Sequence, residues 1–255
     1  MTRGTKRLSI CLAAVLAALS CPGTAHSLAD NMPSTNKFFA AGPQATLEIA
    51  VRANDASSIA RALERGADAN ARGKLDITPL MIAVDAQCPD AVTTLLKAGA
   101  IPNAQAVDRN GPVSLAVQSY RAKPYGRDIM VAVFQAGGDP NSRRPDGDPV
   151  IFRFIEDHDA DDIKLMKALG ANLDIRDRGN DPIVTSVAMA QDWDMVWALI
   201  ELGARYDYEN GASRQPLSMS LSLAYPAPDS PLYPYKLKVW QLLKEKGLPV
   251  KPMKP

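Results

Sequence analysis

Thr78-Pro79-Leu80-Met81-Ile82-Ala83, closed by Leu95-Leu96-Lys97-Ala98-Gly99-Ala100, is the stretch whose reading decides the fold. Proline suits the first turn of a helix, because its φ is already helical and its missing N–H would have had no partner there. Thr78 just before it supplies an oxygen for the free N–H groups of that turn. At the other end Gly99 follows an apolar segment, where glycine adopts a left-handed conformation and ends the last turn at little steric cost. Between the two markers Leu80, Ile82, Ala83 and Val84, then Val92, Leu95 and Leu96, give helical apolar spacing on either side of a turn at Cys88-Pro89-Asp90. The stretch therefore encodes two short amphipathic helices.

Moving outward, the same punctuation recurs. Small-residue doublets stand at Gly66-Ala67, Gly99-Ala100, Gly137-Gly138, Gly170-Ala171 and Gly203-Ala204, with a variant at Gly247-Leu248, spaced by 33, 38, 33, 33 and 44 residues. Pro79, Pro112, Pro149, Pro182 and Pro216 each follow a doublet glycine by 12 or 13 residues. Asp148 and Asp181 precede two of these prolines and are expected to cap as Thr78 does, whereas Gly111 and Gln215 are poorer caps whose helices should fray. Apolar pairs recur in step: Leu115 and Ala116 with Ile129, Val131 and Phe134; Ile151 and Phe154 with Ile163, Leu165 and Leu169. Val184 and Val187 pair with Val196, Leu199 and Ile200, and Leu217 and Met219 with Val239, Leu242 and Leu243. Shifting the second unit back by 33 residues aligns Leu47, Ile49, Ala50 and Val51 with Ile59, Ala62 and Leu63 as a first repeat lacking the proline. So short a unit cannot bury its apolar face alone, so about six repeats must stack.

These motifs resemble the ankyrin-repeat family. Thr78-Pro79-Leu80-Met81-Ile82-Ala83 matches its Thr-Pro-Leu-His-x-Ala helix start except for Met81 in the place of His; Leu95 to Ala100 and Leu199-Ile200-Glu201-Leu202-Gly203-Ala204 match its Leu-Leu-x-x-Gly-Ala helix end. Gly66-Ala67-Asp68-Ala69-Asn70-Ala71-Arg72 matches the finger that follows. The resemblance covers roughly residues 43 to 250 and implies an all-α solenoid of about six helix-turn-helix repeats with short hairpin-like fingers. It departs from the family in the missing His throughout, from which a less regular stack is expected, and in insertions at residues 120–127 and 223–235.

The first residues stand apart from this core. Arg3, Lys6 and Arg7 precede an apolar run from Leu8 to Leu19, followed by small residues, which reads as a secretory signal peptide over residues 1–27. The apolar run is too short for a stable membrane span. Ala25-His26-Ser27 offers a signal-peptidase cut before Leu28, with Gly23-Thr24-Ala25 as a less favourable frame. Ala18-Leu19-Ser20-Cys21 instead resembles a lipobox whose Cys21 would carry a lipid. The expected product is a periplasmic monomer, free or tethered, with residues 28–42 as linker, 43–250 as the repeat domain and 251–255 as a tail. Without Arg3, Lys6 and Arg7, the 29 basic residues fall to 26 against 28 acidic, a balance that argues against nucleic acid as partner. Cys11 and Cys21 fall in the leader, so Cys88 is expected to pack alone as a small core residue.

The 255-residue chain has two histidines, His26 and His158. His158 lies in Glu156-Asp157-His158-Asp159-Ala160-Asp161-Asp162, a run that reads either as ligands for a divalent metal or as a solvated turn with capping aspartates. It has neither calcium-loop spacing nor a His-x-x-x-His pair, so we expect no metal, no cofactor and no enzyme. Binding remains, and the resemblance places it at the finger tips and the exposed side of the first helices. The tip residues selected are Arg72, Lys74, Arg109, Arg143, Arg144, Arg176, Arg178, Tyr206 and Tyr208, with Tyr125 and Tyr233 from the insertions. Arginine pairs bidentately with carboxylates, and tyrosine brings large amphipathic area.

The layout of leader, Phe38-Phe39 before the first helix, and loose repeats ending at Gly247-Leu248-Pro249-Val250 is similar to bacterial ankyrin-repeat proteins and lipoproteins encoded beside type VI secretion lipase effectors. That resemblance implies an immunity protein that binds and neutralises a phospholipase or lipase effector. Two alternatives stay open: an accessory periplasmic ankyrin protein supporting catalase and peroxide resistance, and a structural envelope scaffold.

Overall fold

The computed structural model describes residues 38–156, 158–207, 217–222, 226–248 and 250–252. Among them it contains twelve α-helices and, in place of strands, two isolated bridges. The chain divides into two compact units, Met1–Gly137 and Gly138–Pro255.

In unit 1 the first helices of three repeats are α1 (Pro43–Arg52), α3 (Pro79–Asp85) and α5 (Pro112–Ser119), and the second helices are α2 (Ala56–Glu64), α4 (Pro89–Lys97) and α6 (Gly126–Gln135). Each helix packs on its partner and on its counterpart one repeat away. Leu47, Ile59, Leu80, Ile82, Leu95 and Ile129 are buried almost completely between them, each worth about 1.5–3 kcal/mol of burial. Unit 2 repeats the plan with α7 (Phe152–Glu156), α9 (Ile183–Met189) and α11 (Leu217–Leu221) as first helices and α8 (Ala160–Ala168), α10 (Trp193–Glu201) and α12 (Tyr233–Glu245) as second. Trp193, Phe154, Ile151 and Ile163 form its core.

The glycine punctuation holds: the six marker glycines all have φ between +71° and +97°. The residue after Gly66, Ala67, donates to the Ala62 carbonyl at 3.0 Å, and Ala100 repeats this with Leu95 at 2.9 Å. The proline punctuation holds in part. Pro79 opens α3 with Thr78 accepting from the Met81 amide at 3.3 Å, and Pro112 opens α5. Pro149 and Pro182 instead sit in bridges to Arg143 and Arg176, in the finger hairpins. Their helices start at Phe152 and Ile183, so Asp148 and Asp181 do not take the expected capping role. Asp148 turns to the next finger and accepts from the Arg178 amide at 2.9 Å. Gln215 and Pro216 lie outside the described residues. Gly111 is no site of fraying, because Ser114 Oγ accepts from its amide at 2.9 Å; a side chain there would strike the Ala104 carbonyl at 2.2 Å. The first repeat has its proline after all, since Pro43 starts α1 one turn ahead of the register.

Several core assignments shift by one position on the helix. Met130 and Val133 are buried where Val131 was expected, Met166 where Leu165 was expected, and Met219 is 47% exposed. Met81, standing where the family has His, is buried. The bonds between neighbouring repeats come from the finger asparagines. Asn70 donates to the Gly99 carbonyl at 2.9 Å and accepts from the Ile101 amide at 2.8 Å, Asn103 donates to Gly137 at 2.9 Å, and Asn141 repeats the pair with Gly170 and Asn172 in unit 2. Side-chain amides suit this because one group donates and accepts at once. Cys88 is fully buried, packed as the small core residue expected.

The described part of the expected linker is packed. Glu48, 1% exposed, accepts from the amides of Phe38 and Phe39 and from the Arg52 guanidinium, all at 3.1 Å. This anchors Phe38 so that its carbonyl accepts from the Lys74 amide at 3.0 Å. The N-terminal segment thus lies along the first finger.

Candidate protein-binding surface

Each of the four fully described fingers is a tight turn closed by one backbone bond across four residues. Gly73 donates to Ile77 and Ala106 to Asn110 in unit 1, at 2.9 and 2.8 Å; Arg144 donates to Asp148 and Asp177 to Asp181 in unit 2, at 2.8 and 3.0 Å. Asp76, Arg109, Gly147 and Asn180 take the same left-handed position in the four turns. Leu75 adds a second: its φ is 60° and ψ 24°, a conformation costing an L-residue about 1–2 kcal/mol.

This strained Leu75 is 52% exposed, and Val107 on the next finger is 67% exposed. The Val107 amide donates to the Leu75 carbonyl at 3.1 Å, which sets the two tips side by side. Lys74 and Arg109 flank them and are exposed. Scattered apolar residues on a surface are ordinary, but an adjacent pair on two tips, one held in a strained backbone, is a candidate contact patch. Neither residue has the charge or aromatic ring by which contact residues are expected to show in sequence. Their apolar character in otherwise polar turns was the available signal.

The selected arginines are mostly engaged within the fingers. Arg72 donates to the Gln105 carbonyl at 2.9 Å, and Arg143, its counterpart in unit 2, to the Arg176 carbonyl at 3.1 Å and the Gly147 carbonyl at 2.7 Å. Arg176 closes on the Asn180 carbonyl at 2.7 Å. Arg144, with 18% of its side chain exposed, meets Asp146 at 3.3 Å, Asp148 at 3.7 Å and Glu156 at 3.3 Å. Arg178 stands 3.9 Å from Asp148 and remains exposed. These side chains staple neighbouring turns. Tyr206 is half-buried, and Tyr208 lies outside the described residues. Tyr125 is 39% exposed whereas Tyr120 packs inward, so the first insertion is divided. In the second, Tyr233 and Tyr235 belong to the first turn of α12 and not to a loop.

The acidic run is a turn. Asp159 caps α8 by accepting from the Asp161 amide at 2.9 Å. His158, at φ 53°, reaches across a repeat to bond Asp192 through Nδ1. Asn54 does the equivalent in unit 1, donating to Asp90 and accepting from the Ala91 amide.

Residues 76–107 match the Ankyrin repeat family model. The fold is an ankyrin-repeat solenoid. An ankyrin repeat domain from Acinetobacter baumannii AYE superposes with a TM-score of 0.59, over 80% of this chain and 98% of that one, at 17% identity. An E3 ubiquitin-protein ligase, KEG, of Arabidopsis thaliana is 30% identical over 142 residues, covering 55% of this chain. The chain spans only 8% of that relative's length. Ankyrin repeats indicate a protein-binding role, and the fold is typically a non-enzymatic interaction scaffold. No helix among the described residues is long and apolar enough to cross a membrane.

Proposed function

We propose that the chain is an exported binder that seats another protein on the finger tips of unit 1, and that this partner is a lipase effector of a type VI secretion system, neutralised in the periplasm by stoichiometric binding. The observation that carries the binding surface is the exposed Leu75–Val107 pair, held together by a backbone bond and paid for in backbone strain. Burying two such side chains in a partner supplies an apolar centre, with Lys74 and Arg109 as a basic rim. The lipase identity and the periplasmic setting rest on the leader and on the resemblance in layout.

Expressing the candidate lipase in the periplasm tests this directly. The wild-type chain should restore growth and co-purify with the toxin, and Leu75→Asp with Val107→Asp should do neither; no rescue together with no co-purification by the wild type sinks the immunity reading. The mass of the exported protein follows the leader: cleavage before Leu28 removes residues 1–27, whereas lipidation leaves Cys21 as the modified N-terminus.

A further inference from the structure

Unit 2 is divided in charge along its sequence. Residues 138–232 carry nine basic and seventeen acidic side chains, whereas residues 233–255 carry six lysines and one glutamate. α12 opens this basic segment and packs on α10 and α11 as the last helix of the unit. Its inner side buries Lys236, Val239 and Leu243. Its outer side carries Lys238, Gln241, Lys244 and Glu245, and Lys246 and Lys251 follow it; all six are exposed. No later helix among the described residues covers that side.

These lysines are not neutralised by the protein's own carboxylates. Elsewhere in the unit Arg144 is shared among three acids, but among the described residues no carboxylate lies within ion-pair distance of Lys238, Lys244, Lys246 or Lys251. Two of them stand beside aromatic rings instead. Lys238 lies 5.3 Å from the Trp197 ring and 5.2 Å from the Tyr235 ring, and Lys244 lies 5.0 Å from the Trp240 ring. Tyr233, Leu237 and Trp240 follow one another at helical spacing as a half-exposed stripe that ends at Lys244. Trp240 Nε1 donates to the Lys251 carbonyl at 2.9 Å, which draws the basic tail back to the same stripe. The end of unit 2 therefore presents unpaired ammonium groups edged by tryptophan, tyrosine and leucine.

We propose that this end of unit 2 is a docking surface for an anionic lipid bilayer, its lysines set against headgroup phosphates and Leu237 and Trp240 at the level of the headgroups. The composition favours a bilayer over an acidic protein. Lysine is depleted from protein interfaces, where the fixed fork of arginine is preferred, and no arginine occurs after Arg214. A headgroup layer suits ammonium groups on long flexible stems, because its phosphates shift laterally, and its interface takes up amphipathic rings. The same surface repels the acidic remainder of the unit, so it selects this end for approach. Each lysine close to an anionic bilayer strengthens binding about fivefold. The surface shares no residue with the Leu75–Val107 pair, so the two proposals succeed or fail separately.

Vesicle sedimentation tests it, with Cys21→Ser in the exported chain so that no lipid anchor contributes. The chain should bind vesicles of phosphatidylglycerol and phosphatidylethanolamine at least about tenfold more tightly than vesicles of phosphatidylcholine, and the difference should vanish at about 0.5 M salt. Lys238→Gln, Lys244→Gln, Lys246→Gln and Lys251→Gln together should weaken binding by about a hundredfold or more with Tm unchanged, because all four side chains are exposed. Leu75→Asp with Val107→Asp should leave it intact. No binding to the anionic vesicles, equal binding to both kinds, or undiminished binding by the four-lysine variant overturns the proposal. If soluble poly-glutamate binds the chain more tightly than the anionic vesicles do, the surface fits an acidic polypeptide and the bilayer assignment is overturned.

Discussion

In unit 1 the tip at Lys74–Asp76 turns Leu75 outward beside Val107, whereas in unit 2 the position equivalent to Leu75 is Asp146, which joins Asp148 and Glu156 around Arg144. The turns are closed by the same hydrogen bond, but only the unit 1 tip adds a second left-handed residue, Leu75. What differs is whether the tip satisfies itself. The unit 2 tip pairs its charges internally and has little left to offer a partner. The unit 1 tip holds an apolar side chain in solvent and in a strained conformation, and both costs fall when a partner covers it.

This contrast can be broken or sharpened in four ways. The largest effect is expected at Glu48, which is remote from the tip but anchors the segment that supports it. Glu48→Ala strips the Phe38 and Phe39 amides and Arg52 of a buried acceptor and should cost about 3–5 kcal/mol, measured by urea denaturation, with partner binding lost in parallel. An unchanged midpoint would show that the segment is not held by this carboxylate. Next, Leu75→Asp with Val107→Asp should lower partner affinity by about 2 kcal/mol or more, as for a hot-spot pair, while Tm stays within a degree or two, since both residues are exposed. A large drop in Tm would recast the pair as structural. Arg144→Ala in unit 2 should do the reverse, leaving partner binding intact and costing about 1–2 kcal/mol of stability by loss of a shared cation; the loss should shrink in high salt. The smallest effect is expected from Leu75→Gly, which removes the left-handed penalty and should stabilise the chain by up to about 1 kcal/mol while weakening binding. A destabilised Leu75→Gly would mean that the conformation carries no strain.

Much of the fold was legible because its punctuation is local. A glycine that closes a helix does so through its own φ, and all six marker glycines do. The prolines were less dependable for the same physical reason turned round: φ near −65° serves the first turn of a helix and an extended hairpin residue equally. Pro79 and Pro112 took the first use, and Pro149 and Pro182 the second. Periodicity gave the apolar helices but not the phase to one residue, hence Met166 in place of Leu165.

The surface was less legible, because it depends on partners distant in sequence. Arg72 and Arg143 read as contact residues until the carbonyls they hold, 33 residues on, are brought beside them. Glu48 is a charged residue on an otherwise apolar helix face, and only the returning Phe38-Phe39 segment makes it a buried acceptor.

By itself the sequence determined the repeat, its period and the helical nature of the chain, since these follow from φ preferences and apolar spacing within some thirty residues. Only the tertiary structure decided that the finger asparagines would bond from one repeat to the next and that the unit 1 tips would face solvent with Leu75 and Val107 together. Those outcomes depend on which groups are left unpaired once the repeats have stacked, and pairing across repeats is set by geometry in space.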